Sequence, residues 1–244
     1  MAEVFLIALL TDVATGLGVL PFVFFKRASD RLSGVTTAVA SGMMLSASAF
    51  ALADKALHRG NAIGVVAGMI GGAAFFAWSA RLVSARDWRI QGWTATNSRQ
   101  SIVVIATMFV HSIPEGIAIG VGFATGEMRF GLLLAIAIAV HNIPEGTAVA
   151  LPLRANDASL HGCFWYAVLT SAPQPILAVP AYLLISIAQP LLPASLGFAG
   201  GAMIFLVVSE LLPETLARCS HTEAAWGVTG GLVAMLGFTA ALGL

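Results

Sequence analysis

His111-Ser112-Ile113-Pro114-Glu115-Gly116-Ile117-Ala118 and His141-Asn142-Ile143-Pro144-Glu145-Gly146-Thr147-Ala148 are two copies of one pattern, 30 residues apart (141 minus 111). Each copy lies inside an otherwise apolar stretch, residues 101–125 and 129–153, with a short polar break around Gly126 to Arg129 between them. A helix needs roughly 20 residues to cross a bilayer, so the period is one span plus a tight turn. Consecutive spans run antiparallel. The two copies are therefore expected to be related by an axis in the membrane plane, as in the inverted repeats that place binding sites near the midplane of transporters.

Six further apolar stretches flank this pair, at 3–25, 34–57, 62–83, 162–188, 193–217 and 224–244. The chain is 58% hydrophobic and 10% charged, where soluble domains carry about 25% charged residues. Sustained strand-like alternation is missing, and a bilayer core admits only helices or closed barrels. The expectation is an all-α membrane protein of eight transmembrane helices with an inverted repeat, forming a single transmembrane domain over 1–244. The 12 basic and 12 acidic residues balance, which argues against nucleic acid as partner, because phosphate binding needs clustered positive charge. Cys163 and Cys219 lie in different segments without metal-type spacing and read as packing residues. Glu3 precedes the first apolar run and Lys26-Arg27 follow it, the reverse of a cleaved signal peptide.

Lys and Arg favour cytoplasmic loops. With both termini on the non-cytoplasmic side, inside segments hold Lys26, Arg27, Arg31, Arg81, Arg86, Arg89, Arg99, Arg154 and Arg218, leaving Lys55, Arg59 and Arg129 outside. That distribution selects this orientation. Trp88 and Trp93, in the longest inside loop, suit interfacial anchoring.

Within each copy, His and Glu are four residues apart, which puts both side chains on one helical face. Each face offers one imidazole nitrogen and one carboxylate, ligands suited to borderline divalent metals. Pro114 and Pro144 should free the carbonyls of Val110 and Val140, and Gly116 and Gly146 permit close helix approach. A charged side chain at the bilayer centre costs roughly 2.5–3.5 kcal/mol, so two glutamates imply about 5–7 kcal/mol unless paired, protonated or metal-bound. Chance occurrence of the same pattern twice is a poor explanation. An intramembrane zinc protease would carry His-Glu-x-x-His and a di-iron bundle Glu-x-x-His; the order and spacing here match neither, so no enzyme is expected.

At these residues the chain resembles the Zrt/Irt-like (ZIP) family of metal transporters. Supporting stretches are Gly42-Met43-Met44-Leu45 on the second span, and Gly200-Gly201-Ala202-Met203-Ile204-Phe205 and Ser209-Glu210-Leu211-Leu212-Pro213-Glu214 on the seventh. The resemblance implies carriage of metal into the cytoplasm through a midplane site between helices 2, 4 and 5, built from Met44, His111, Glu115, His141 and Glu145. It also implies a second, adjacent site at Ser112, Asn142 and Gln174. Gln174 stands where the family often has Glu, and neutral groups stabilise a second dication less, so one well-formed site is expected, with the second absent or weak. Glu210 falls at a family position on the exit route. Glu214 suits either that route or a solvated helix end beside Arg218. Asp12 on the first span reads as functional or helix-pairing.

Imidazole, carboxylate and thioether together suit Zn²⁺ foremost, or Fe²⁺, Mn²⁺ or Cd²⁺, as cargo, rather than Mg²⁺ or Ca²⁺, which prefer oxygen shells. No cofactor beyond this cargo is expected. The expected partners are the metal ions and the lipid bilayer, with a homodimer left open. The location is an integral multi-pass position, in the plasma (inner) membrane if the source is prokaryotic. The resemblance implies that the helices holding the site slide or rock against the rest. Gly64, Ala67, Gly68, Gly71 and Gly72 suit either such sliding or static packing.

Overall fold

The computed structural model describes residues 1–24, 29–85, 95–155 and 157–241. Among the described residues every regular element is helical. Among these residues, eight helical stretches are long and apolar enough to cross a membrane: Ala2–Phe24, Asp30–Arg59, Ala62–Val83, Ile105–Ala124, Met128–Arg154, Leu160–Ile187, Gln189–Arg218 and His221–Ala241. These are referred to as the first to eighth spans. The eight-span reading is borne out. Trp88, Trp93, Lys26, Arg27, Arg86 and Arg89 lie outside the described residues.

Several spans run past their expected ends. The second starts at Asp30, because the Ser29 side chain caps it by accepting from the Leu32 amide at 3.2 Å. The sixth starts at Leu160, where Ser159 accepts from the Gly162 amide at 3.0 Å. Such caps satisfy helix-end donors that the chain cannot satisfy itself. Lys55 and Arg59, expected in an outside loop, instead extend the second span as helix. Both pair with Glu127 in the turn between the fourth and fifth spans, Lys55 at 2.5 Å. Lys55 also lies 5.2 Å from the centre of the Phe130 ring. These paired charges can be helical because the backbone is hydrogen-bonded within the helix while the side chains reach the same carboxylate.

The spans pack in two groups. The first, fourth, fifth and sixth pack against one another, as do the second, third, seventh and eighth. The groups meet where the fourth span lies against the seventh and the second against the fifth. Glycines allow close approaches between spans. A Cβ on Gly68 would sit 2.1 Å from the Ala194 carbonyl oxygen, and one on Gly72 would sit 2.0 Å from that of Phe198. Backbone meets backbone there, and small residues are what allow it. Gly68 and Gly72 thus let the third span lie directly on the seventh inside one group.

Among the described residues, irregular turns interrupt several spans, three of them near candidate site residues. The second widens into a π-helix at Ala47–Ala53, just after Met44, and the seventh does so at Val207–Leu211, around Glu210. Such wide turns are frequent at functional sites. The sixth span breaks at Ala172, between the helices Leu160–Ser171 and Pro173–Ile187. Pro173 cannot donate a backbone hydrogen bond. The break sets Gln174 at the start of a half-helix inside the first group.

Candidate metal centre

Pro114 and Pro144 lie within continuous helices, so both motif copies keep their His and Glu on one face. The motif glycines admit the neighbouring spans. A Cβ on Gly116 would sit 2.8 Å from the Gln174 carbonyl oxygen, and one on Gly146 would sit 1.8 Å from that of Thr15. The sixth span therefore touches the backbone beside Glu115, and the first touches the backbone beside Glu145. Thr147 strengthens the second contact by donating to the Gly18 carbonyl at 2.9 Å.

Glu115, His141 and Glu145 each offer one ligand atom, and these atoms all lie within 4.8 Å of one another. The three side chains are 0%, 1% and 5% exposed, so their polar atoms have left water. His141 Nε2 lies 2.8 Å from Glu115 Oε1. Glu145 Oε1 is buried without a hydrogen-bond partner among the described residues. An unsatisfied buried polar atom costs about 1–3 kcal/mol, which a cation placed among these three groups would remove.

Of the four His and Glu side chains expected to converge, His111 is the one outside this cluster. It is fully buried, one turn before Glu115. Its Nδ1 faces the Thr107 carbonyl oxygen at 2.7 Å. That contact requires the proton on Nδ1, leaving Nε2 as a bare lone pair. Among the described residues Nε2 has no partner. A backbone carbonyl holding the far ring nitrogen is the arrangement that orients metal-binding histidines. Phe76 on the third span packs edge-on against the imidazole, with ring centres 5.4 Å apart. Met44 is fully buried on the second span, which packs against the fifth.

Asn142 and Gln174 come together; Ser112 turns away. Gln174 Nε2 donates to Glu115 Oε2 at 2.7 Å. Asn142 Nδ2 donates to the Thr11 carbonyl at 2.8 Å and reaches Gln174 Oε1 at 3.2 Å. The Ser112 hydroxyl donates back to the Met108 carbonyl at 3.3 Å. Thr11 escaped the sequence reading, although its hydroxyl donates to Gln174 Oε1 at 2.6 Å. The one signal available was its place beside Asp12 as a polar pair in an apolar span. Asp12 is buried, and its Oδ1 lacks a partner among the described residues. Phe76 gave no sequence signal at all.

Towards the other end of the seventh span, Glu210 is half-buried in the π-helical turn. Glu214 pairs with Arg218 at 2.9 Å, and Arg218 donates to the Ser33 hydroxyl at 3.1 Å. Glu214 thus sits beside Arg218 on the helix Leu212–Arg218 that ends the span.

Among the described residues, eight helices long and apolar enough to cross a membrane, with a buried imidazole–carboxylate cluster on the fourth and fifth, fit a multi-pass membrane protein that holds a candidate metal site. A family model described as "ZIP Zinc transporter" matches residues 90–242. The zinc transporter GufA of Myxococcus xanthus is 33% identical over 247 residues, covering 97% of each chain. The zinc transporter ZIPB of Bordetella bronchiseptica is 35% identical over 248 residues, covering 94% of this chain and 78% of that one. An Arabidopsis thaliana protein named for zinc transport is 37% identical over 244 residues, covering 96% of this chain and 38% of that protein's own length. The chain belongs to the ZIP family, whose members are metal transporters and not enzymes.

Proposed function

We propose that this chain carries divalent transition-metal ions, Zn²⁺ foremost, into the cytoplasm as one transporter domain. The observation that carries the reading is the buried Glu115–His141–Glu145 cluster. Its mixed nitrogen and oxygen donors suit Zn²⁺, with Fe²⁺, Mn²⁺ and Cd²⁺ as competitors. The names of the relatives, zinc transporters, support the choice of metal. Two carboxylates formally balance one dication. His111, its Nε2 lone pair unused, is the fourth ligand. Met44, buried on a span that packs against the fifth, supplies the thioether. Ser112, Asn142 and Gln174 are neutral and favour a single ion over two. Glu210 serves the route by which the ion leaves.

The cluster lies in the group formed by the first, fourth, fifth and sixth spans, next to the seam with the second group. Movement of one group against the other would expose the site to one side at a time. With the termini on the non-cytoplasmic side, Glu127 faces the compartment from which metal is taken. The test is uptake of labelled Zn²⁺ into vesicles reconstituted with the full chain, wild type against Glu145→Ala. Groups that merely orient a metal ligand are worth about 10–100-fold, so loss of a ligand is expected to cut uptake by at least that much. A wild type without metal-dependent flux would sink the proposal.

A further inference from the structure

Glu127 is the point at which charge crosses the seam between the two groups of spans. It sits in the short turn between the fourth and fifth spans and so belongs to the first group. Gly126, with a φ of 81°, turns the chain there in a conformation that favours glycine. The Thr125 hydroxyl accepts from the Glu127 amide at 3.2 Å and donates to the Gly122 carbonyl at 2.7 Å. The turn therefore ties Glu127 to the fourth span. Lys55 and Arg59 belong to the second group. They lie four residues apart on the helix Asp54–Arg59, hence on one face. Lys55 donates to Glu127 Oε2 at 2.5 Å, and Arg59 donates to Oε1. Among the described residues, every other ion pair stays inside one group: Arg31 with Glu223, His58 with Asp54, Glu214 with Arg218, and His141 with Glu115. A cavity of about 460 Å³ lies beside the Glu127 pairs, between Phe50 and His58 of the second span and Phe130 and Leu133 of the fifth. The end of the second span and the turn are thus joined across a space, by charge rather than by close packing. Between the cluster and the turn, Ile119, Leu133, Leu134 and Ile138 are all buried, so apolar side chains close the Glu127 end.

We propose that Glu127, Lys55 and Arg59 form a latch across the seam, which holds the Glu127 end closed and sets how often the buried cluster opens to that side. It rests on the movement of one group against the other proposed above. A contact shifts an equilibrium only by the difference it makes between the two states. Both pairs are made in the closed arrangement, and both must break when the turn leaves the second span. Lys55, Arg59 and Glu127 are partly exposed, so water takes up the charges as they part. Exposed pairs of this kind are weak, whereas one buried partner left unpaired would cost far more. The latch therefore biases the seam without locking it, as a cycle that reopens repeatedly requires.

The test is thiol accessibility of the full chain in vesicles, with Cys163 and Cys219 replaced by alanine and Ala47→Cys as reporter. Ala47 is buried on the second span, between Met44 and the cavity-lining Phe50 in sequence. A membrane-impermeant maleimide added on the Glu127 side reaches it when that end opens. Glu127→Gln, and Lys55→Gln with Arg59→Gln, should each speed modification about fivefold, the equivalent of about 1 kcal/mol. The three substitutions together should do no more than either set, because both sets remove the same interaction. Modification within twofold of the reporter chain in Glu127→Gln, or effects that multiply in the triple variant, overturns the latch. A second arm joins Arg59→Cys to Glu127→Cys with a bismaleimide whose spacer a reductant cleaves. Zn²⁺ uptake should stop on joining and return on cleavage; uptake that continues through the joined chain shows that these ends never part and overturns the proposal. Labelling needs no metal, which separates the two readings. Faster labelling in Glu127→Gln without Zn²⁺ uptake by wild type removes the carrier and keeps the latch, and unchanged labelling beside normal uptake removes the latch alone.

Discussion

Replacing Gly146 by alanine adds one methyl group where the first and fifth spans cross. The new Cβ would lie 1.8 Å from the Thr15 carbonyl oxygen, 2.8 Å from its carbon and 3.3 Å from Gly18 Cα. All three obstacles are backbone atoms, so no rotamer change relieves the overlap. Ordinary non-bonded contact begins near 3.5 Å, so the spans must part by roughly 1.5 Å. That separation takes the Thr147–Gly18 hydrogen bond, now 2.9 Å, beyond useful range. It also moves the backbone of the adjoining Glu145. Overpacking of this kind costs about 1–3 kcal/mol of stability, and misplacing a reactive group by about 1 Å costs on the order of a hundredfold in enzyme sites. The expectation is a chain that still folds, with Zn²⁺ uptake reduced by about that factor and Zn²⁺ affinity reduced with it. Initial uptake rates in reconstituted vesicles, together with dialysis binding, measure both. Gly230→Ala is the control, since a Cβ there meets nothing within 4 Å. Uptake by Gly146→Ala within twofold of wild type would refute the claim that the first span positions Glu145.

Two other perturbations follow from named contacts. Lys55 and Arg59 hold the Glu127 carboxyl below the usual range, mainly through their hydrogen bonds to it. The stabilisation is then full above the ordinary value of 4.5 and is lost as pH falls through the lowered folded pKa. Glu127→Gln should lower the thermal midpoint at pH 7 by an amount worth about 1 kcal/mol or less, since the pair is partly exposed. The gap from wild type should close in acid; a gap that persists at low pH contradicts the ion-pair account. Phe76→Ala removes the ring against His111 and leaves a buried void. The unfolded reference also sits in lipid, so the cavity contribution alone is expected, about 2 kcal/mol. Thermal unfolding of the detergent-solubilised chain checks this, and weaker Zn²⁺ binding should accompany it.

The doubled motif was legible because its spacing is local. Four residues between His and Glu fix one face, and 30 residues between copies fix one span and a turn. Both survive in the structure as continuous helices carrying Glu115, His141 and Glu145 to one point. What spacing cannot show is which spans touch. Thr11 meets Gln174 across 163 positions of sequence, and no residue pattern near either one announces the contact. The position of His111 outside the cluster has a similar origin. Its ring direction is set by the Thr107 carbonyl and by Phe76 from another span, whereas helical periodicity says only which face it occupies. Lys55 and Arg59 looked like loop charges by composition. In the structure they are helical and pair with Glu127, a contact that no local pattern announces.

Anomalous scattering at the zinc absorption edge, from crystals of the full chain grown with Zn²⁺, tests the central claim most directly. The account predicts one strong peak at about 2.0–2.2 Å from ligand atoms of Glu115, His141 and Glu145, with Glu115 coordinating through the oxygen that Gln174 leaves free. A cluster that stays empty while zinc occupies another buried site would contradict it.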